Sequence, residues 1–127
     1  MSNHLADVDY RYIKSAEPDS TLHFLAGACP LDSEGRVCFV GDFAGQARRC
    51  FENAASVLAG AGLTPESICF LRVLVASSDR ADLVAAWHAL KALLPDMPPA
   101  TLQGVTVLGY PDQLVELEIV ARSRQST

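Results

Sequence analysis

The chain has 127 residues, of which half are apolar and a fifth are charged, and its formal net charge is −5. This length and composition fit one globular domain with its own hydrophobic core. The negative charge and the lack of a Lys/Arg cluster argue against nucleic-acid binding, which needs a cationic surface, and no apolar run approaches the roughly 18 residues that would span a bilayer.

The chain is predicted to form a single domain with short extensions at each end. Residues 1–9 are polar and without pattern, so we expect a flexible N-terminal arm, with the domain over residues 10–122 and a tail over residues 123–127. Within the first third, alternating apolar residues between turn-forming segments predict three strands. These strands cover residues 10–16, 22–27 and 36–40.

A long helix is predicted next, followed by a buried strand. Asp42 is a suitable N-cap, about twenty residues with apolar positions at helical spacing follow it, and Gly60 and Gly62 are suitable stop signals. The β-branched, apolar run over residues 68–76 is typical of a central strand.

The last third is predicted to hold a second helix and two strands. Ser77 or Ser78 could cap a helix over residues 80–94, whose inward side chains would be Leu83, Trp87, Leu90 and Leu94. Strands are predicted over residues 102–108 and 114–121. The order β-β-β-α-β-α-β-β indicates an α+β fold with both helices on one face of a sheet.

The sheet face away from the helices is predicted to be apolar. Too many large side chains lie on the strands for all of them to point at two helices, and an exposed apolar patch of that kind indicates a subunit partner. The side chains concerned are Phe70, Val73, Val75, Leu102, Val105 and Val107.

The four cysteines, Cys29, Cys38, Cys50 and Cys69, do not follow the spacing of a zinc site or a CxxC motif. We expect a reduced, cytoplasmic protein that needs no metal and no cofactor. Cys29 follows a Gly-Ala pair and is the one cysteine whose reactivity we would test; the others are expected to act as small apolar residues.

Several short segments together resemble the reactive-intermediate deaminase family, whose members are also called YjgF-like proteins. The resemblance extends over about residues 10–121. No segment is specific alone, but their order and separations match the family. They are residues 25–32, Gln46 with Asn53, residues 61–63, residues 99–100 and residues 116–121.

This resemblance implies a chorismate-mutase-like fold and a homotrimer whose sheets line a central barrel, with clefts between subunits. Active members of the family hydrolyse enamine and imine acids. Their Pro-Ala-Arg motif holds the substrate carboxylate through the arginine, and a glutamate fifteen residues later orients the attacking water. Here the motif reads Pro-Ala-Thr, so Thr101 replaces the arginine, while Glu116 stands at the position of the glutamate.

Other positions also depart from the family pattern. Ala26 replaces the serine before the loop glycine, Gly27, and Trp87 stands near the family's asparagine in the second helix, in an alignment that a shortened loop makes ambiguous. Gln103 replaces a small residue or cysteine two positions after the arginine. The resemblance therefore implies a neutral pocket, and the usual 2-imino acids are not the expected substrate.

Most of these residues have a structural reading beside the functional one. Trp87 fits the core by its helical spacing as well as it fits a pocket wall, Tyr12 lies near the family's pocket tyrosine but also on a predicted strand, and Gln103 could contact a ligand or line the barrel. Arg72 could replace the missing arginine or form an interface salt bridge. Glu116 could be a general acid/base or a solvated strand carboxylate like Glu118.

Two functions remain as hypotheses. The first is a divergent hydrolase of a small imine- or enamine-type C–N bond, in which Glu116 handles the water and Ala26, Gly27, Thr101 and Gln103 hold the substrate. The second is a non-catalytic trimer that binds a small molecule or a protein partner in the same clefts. Ribonuclease activity, attributed to some family members, is opposed by the acidic charge, and we expect neither a nucleic-acid nor a membrane partner.

Overall fold

The computed structural model describes residues 4–124, which form two helices and a four-stranded sheet. The elements are β1 (Thr21–Phe24), α1 (Phe43–Gly60), a 3-10 turn (Pro65–Ser67), β2 (Ile68–Val75), α2 (Arg80–Leu93), β3 (Ala100–Gly104) and β4 (Val115–Ser123). The sheet order is β1-β4-β2-β3, with β2 and β3 parallel and the other pairs antiparallel. This confirms the α+β class.

The hydrophobic core lies between the two helices and one face of the sheet. Alternate residues of the central strands point into it, and Val73 and Val75 of β2 are fully buried there. Of the six side chains considered for the opposite face, these two therefore point at the helices. Each fully buried aliphatic side chain contributes about 1.5–3 kcal/mol of hydrophobic free energy. Core partners from the other elements include Cys50, Ala54, Leu58, Ala86, Leu90, Val115, Leu117 and Ile119.

The helix ends agree with the sequence signals at α1 and differ at α2. Asp42 caps α1 by accepting a hydrogen bond from the Gly45 amide at 2.9 Å, and Gly62, with φ +75°, turns the chain after the helix. The cap of α2 is Asp79, which accepts from the Ala81 amide at 2.9 Å. The prediction of Ser77 or Ser78 as the cap is wrong, because the Ser77 hydroxyl accepts from the Asp79 amide and so organises the cap from outside the helix.

Two of the predicted strands do not form. Residues 10–16 are irregular, with one backbone hydrogen bond between the Arg11 amide and the Met97 carbonyl, so their alternation does not lead to strand pairing. Residues 36–40 make only the isolated bridge of Leu31 with Val37. There the chain bends at Phe39, with φ 53°, to enter α1, which ends any strand.

The outer face of the sheet carries both apolar and charged side chains. Leu22 and Phe24 of β1 are 49% and 75% exposed, and Phe70 of β2 is partly exposed on the same face. Arg72 on β2 lies beside Glu118 on β4, with Nε and Oε1 3.1 Å apart. The predicted apolar outer face thus exists and includes Phe70 as predicted, but Leu22 and Phe24 also form it and an ion pair interrupts it.

The arm and the tail lie partly outside the described residues. Residues 1–3 and 125–127 belong to those predictions and are not described. Residues 4–9 are exposed, and Asp9 contacts α2, where the Trp87 indole donates to its Oδ2 at 3.0 Å. Within residues 4–124, no helix is both long enough and apolar enough to cross a membrane.

Candidate functional site

Glu116 lies on the outer face of β4, beside an interruption in the pairing of β1 with β4. Phe24 pairs with Val120 and Ala28 pairs with Leu117. Between these two pairs the chain advances by four residues on the side of β1 and by three residues on β4. Such a bulge re-aims the backbone. A Cβ on Gly27 would lie 2.7 Å from Cδ of Glu116, which shows that the carboxylate occupies the space that a side chain at position 27 would fill.

Gln113 holds the Glu116 carboxylate in place through a hydrogen bond. Its side chain is 4% exposed, and its Nε2 donates to Glu116 Oε1 at 3.3 Å and to the Val115 carbonyl at 3.1 Å. Its own Oε1 accepts from the Tyr110 amide at 3.1 Å. A buried amide with both ends bonded is rigid. Sequence reasoning missed this residue; its one signal is an isolated amide side chain between a turn and an apolar strand.

The Cys29 thiol is a second neighbour of the carboxylate. Its Sγ lies 3.5 Å from Glu116 Oε1. Burial raises the pKa of the Cys29 thiol, and the negative charge of Glu116 raises it further. Cys29 is therefore a neutral S–H group at physiological pH, able to donate a weak hydrogen bond to the carboxylate.

Polar side chains of α1 hold the loops on which this cluster depends. Asn53 Nδ2 donates to the carbonyls of Cys29 and Leu31, each at 2.9 Å. Gln46 is fully buried, accepts from the Leu114 amide at 2.7 Å and donates to the Asp112 carbonyl at 3.0 Å. These contacts give Gln46 and Asn53 a structural role.

Thr101 and Gln103 lie on the outer face of the edge strand β3. By register, Thr101 is in one row with Arg72 and Glu118, and Gln103 is in the next row with Leu74 and Glu116. Two strand spacings and a two-residue offset put the Cα atoms of Thr101 and Glu116 about 12 Å apart. Within one chain, Thr101 and Glu116 therefore lie on the same face of the sheet but are too far apart to contact one small substrate.

Thr101 instead belongs to a cleft of about 430 Å³ between α2, β3 and the arm. Trp87 and Tyr10 form part of its wall, with ring centroids 6.0 Å apart and ring planes at 88°. Trp87 also packs against the core, so it is both a core residue and part of a cleft wall. The full wall consists of Asp9, Tyr10, Val84, Trp87, His88, Ala100, Thr101 and Leu102.

The remaining predicted residues lie elsewhere. Ala26 and Gly27 line a smaller concavity of about 280 Å³ between their loop and α1. Tyr12 lines neither of these two concavities, and its hydroxyl donates to the Ala6 carbonyl at 2.8 Å. Arg72 pairs with Glu118 of its own chain, although its Nε lacks good hydrogen-bond geometry.

Another concavity, of about 630 Å³, lies at the carboxyl ends of β2 and β3. Arg80 is the one charged residue in its wall, and the wall has no carboxylate or thiol to activate water. Hydroxyl groups of Ser77, Ser78 and Thr106 supply the other polar side chains. Size alone therefore does not make it the catalytic candidate. Within residues 4–124 no cluster of His, Cys, Asp and Glu suits a metal ion.

Comparisons with known proteins agree with this architecture. The profile of the family described as endoribonuclease L-PSP matches residues 5–123. The 3-aminoacrylate deaminase RutC of Acinetobacter baylyi is 29% identical over 110 residues, which cover 87% of this chain and 85% of RutC.

Solved structures of similar fold include two bacterial proteins. YyfB of Yersinia pestis, from the conserved Rid protein family, is 27% identical with a TM-score of 0.70, covering 79% of this chain and 77% of its own. The YjgF gene product of E. coli is 22% identical with a TM-score of 0.72, covering 97% of this chain and all of its own.

Proposed function

Because the chain belongs to the endoribonuclease L-PSP family, which includes the YjgF- and Rid-type proteins, we propose that it hydrolyses a small imine- or enamine-type C–N bond. The observation that carries this proposal is the Glu116 carboxylate, fixed by Gln113 and Cys29 on the open face of the sheet. The similarity to a 3-aminoacrylate deaminase supports a reaction of this class.

In the proposed reaction Glu116 acts on water. The carboxylate accepts a proton from a water molecule as its oxygen adds to the carbon of a protonated imine, giving a carbinolamine. The same carboxyl group then returns the proton to the nitrogen, and ammonia leaves as the carboxylate removes the hydroxyl proton and the carbonyl forms. That proton passes on to the ammonia, which departs as ammonium. Gln113 and Cys29 both bond Oε1, which leaves Oε2 as the basic atom.

Thr101 sets the expected substrate class. A neutral hydroxyl supplies about 0.5–1.5 kcal/mol per hydrogen bond, whereas an arginine fork supplies two charge-assisted bonds of roughly twice that strength each. The deficit of several kcal/mol corresponds to about a hundred-fold or more in affinity for a carboxylate. We therefore propose an imine substrate without a carboxylate next to the C–N bond.

A site that uses both Thr101 and Glu116 requires two subunits. The separation of about 12 Å within one chain exceeds the reach of a small substrate, so we propose a homotrimer in which Thr101 of one subunit faces Glu116 of the next. Light scattering on the purified protein should then give three times the chain mass; a monomer would contradict the shared cleft. Since all four cysteines are free thiols, we propose a reducing compartment such as the cytoplasm.

The proposal is tested by comparing two imines that differ in a carboxylate. An amine oxidase generates a simple imine, an amino-acid oxidase generates a 2-imino acid, and semicarbazide traps whatever remains of each. We expect the protein to suppress trapping of the first and not the second. Glu116→Gln should abolish this effect, Thr101→Ala should change KM, and Thr101→Arg should gain activity on the 2-imino acid. Suppression of 2-imino acid trapping by the unaltered chain would contradict the assigned role of Thr101.

The alternative is a non-catalytic module that binds a small molecule or a protein partner. The exposed Leu22 and Phe24 favour it, because large apolar side chains on an open sheet face suit a partner surface. This alternative predicts ligand binding without turnover and no effect of Glu116→Gln on that binding.

A further inference from the structure

We infer that the cleft beside Thr101 binds a small cation whose charge is carried on nitrogen, through the carboxylate of Asp9 and the rings of Tyr10 and Trp87. This inference rests on the proposed function, because it names the class of substrate that enters the cleft. It assigns to the cleft a charge preference opposite to that of an arginine-containing pocket.

The carboxylate of Asp9 is fixed at the wall of the cleft. Its Oδ2 accepts the Trp87 indole N–H at 3.0 Å, and its backbone carbonyl accepts from Lys91 Nζ at 2.8 Å. Both contacts come from α2, so a rigid helix positions this part of the arm. In residues 4–124 no donor bonds Oδ1 of Asp9, which leaves that oxygen for a ligand.

The aromatic rings beside Asp9 suit a cation as well. Tyr10 meets Trp87 edge to face, and Tyr12 stands against Tyr10 with ring centroids 5.7 Å apart. In an edge-to-face pair the edge of one ring covers one side of the other ring, so the pair itself leaves the second side of that ring uncovered. An ammonium or iminium group is attracted to such faces, most strongly to that of tryptophan.

The charge balance of the wall is negative. Of its eight residues, Asp9 is the one carboxylate and none is Lys or Arg. His88 is the other titratable polar group besides the tyrosine. Lys91 is the nearest cation on α2, but it is not part of this wall, and its ammonium is held by the carbonyls of Asp9 and Pro95. A carboxylate ligand would therefore face repulsion, and an ammonium ligand attraction.

The single tryptophan makes the test direct, since Trp87 is the only tryptophan in the chain and its fluorescence reports on this cleft alone. The full-length protein is titrated with butylammonium, butanol and butyrate, which match in size and differ in charge. The titration is carried out at a pH above the ordinary titration range of imidazole. We expect saturable quenching by butylammonium, with affinity at least about ten-fold above that for the other two.

Two variants and one control variant separate the effect of charge from the effect of shape. Asp9→Asn keeps an acceptor for the Trp87 indole and removes the charge, so it should weaken butylammonium binding about ten-fold or more. Asp7→Asn makes the same change on the arm outside the cleft wall and serves as the control. Thr101→Arg adds a cation on the edge strand beside the cleft, without touching the arm, and should also weaken butylammonium binding.

Several outcomes would overturn the inference. Equal affinity for butanol would indicate a merely apolar cleft, tighter binding of butyrate would reverse the charge preference, and equal effects of Asp9→Asn and Asp7→Asn would remove Asp9 from the site. The emission maximum of each variant without ligand shows whether the arm stays in place, and Thr101→Arg decides the matter if Asp9→Asn displaces it. None of these readings depends on turnover, so a failure of the proposed hydrolysis is recognised separately.

Discussion

Substituting Gly27 by alanine should separate the function of Glu116 from the stability of the fold. The new Cβ would lie 2.7 Å from Cδ and 3.2 Å from Cγ of Glu116. Carbon atoms prefer about 3.5 Å or more, so the carboxyl group must move by at least about 0.8 Å. That shift removes it from the positions where Gln113 and Cys29 bond it. A misplacement of about 1 Å costs roughly a hundred-fold in rate.

The effect of Gly27→Ala on stability should be small. Moving a flexible side chain off its preferred rotamer costs about 0.5–1.5 kcal/mol, whereas replacing glycine at an ordinary φ stabilises by about 0.4–1 kcal/mol through the unfolded state. The two terms nearly cancel. Thermal unfolding should therefore place the Tm within roughly 6 °C of the parent, while suppression of trapping of the carboxylate-free imine falls by roughly a hundred-fold. Full activity with a displaced Glu116, or a loss of activity matched by global unfolding, would refute the reasoning.

Three further predictions concern protonation and packing. The pKa of Cys29 is raised by burial and by Glu116, so alkylation of this thiol, followed by mass spectrometry, should be slow at neutral pH and faster in Glu116→Gln; an unchanged rate would contradict the contact. Hydrogen bonds from Arg124 hold the pKa of Glu17 at about 2. Because this folded-state pKa is depressed, the stabilisation from Glu17 is complete above the unfolded pKa of about 4.3 and is lost as pH falls toward 2. Glu17→Gln should therefore flatten the dependence of Tm on pH in that window, and it should leave this dependence unchanged near neutrality. Gln113→Leu should lower the free energy of unfolding by about 2–4 kcal/mol, measured with urea, because it removes three hydrogen bonds of about 0.5–1.5 kcal/mol each, to the Tyr110 amide, the Val115 carbonyl and Glu116 Oε1; a smaller loss would mean that water replaces the amide.

The helices and central strands were predictable because their signals are local. Helical spacing and the Asp42 cap located α1, and the apolar run over residues 68–76 located β2. The strands predicted over residues 10–16 and 36–40 failed because a strand needs a partner edge, which local alternation does not supply. The sheet ends at β1 on one side, and the arm crosses to α2.

The candidate site was predictable only where a motif marked it. Glu116 and Thr101 were found through the spacing of the Pro-Ala-Thr segment. Gln113 and Asp9 carry no motif, and their roles follow from contacts that the fold creates. Asp9 meets Trp87 across 78 positions of the chain, a separation over which composition and periodicity hold no information.

The position of Asp9 has a consequence for how ligand preference can change in such proteins. The residue lies before the first strand and outside the short segments that mark the family, although the family profile extends over it. Two chains could therefore agree at each family motif and still select ligands of opposite charge. The arm could exchange its sequence without altering the sheet, so the preference for a charge can change while the rest of the domain stays the same. Grafting residues 4–12 onto a relative with a tryptophan at the position of Trp87 should transfer the preference with them.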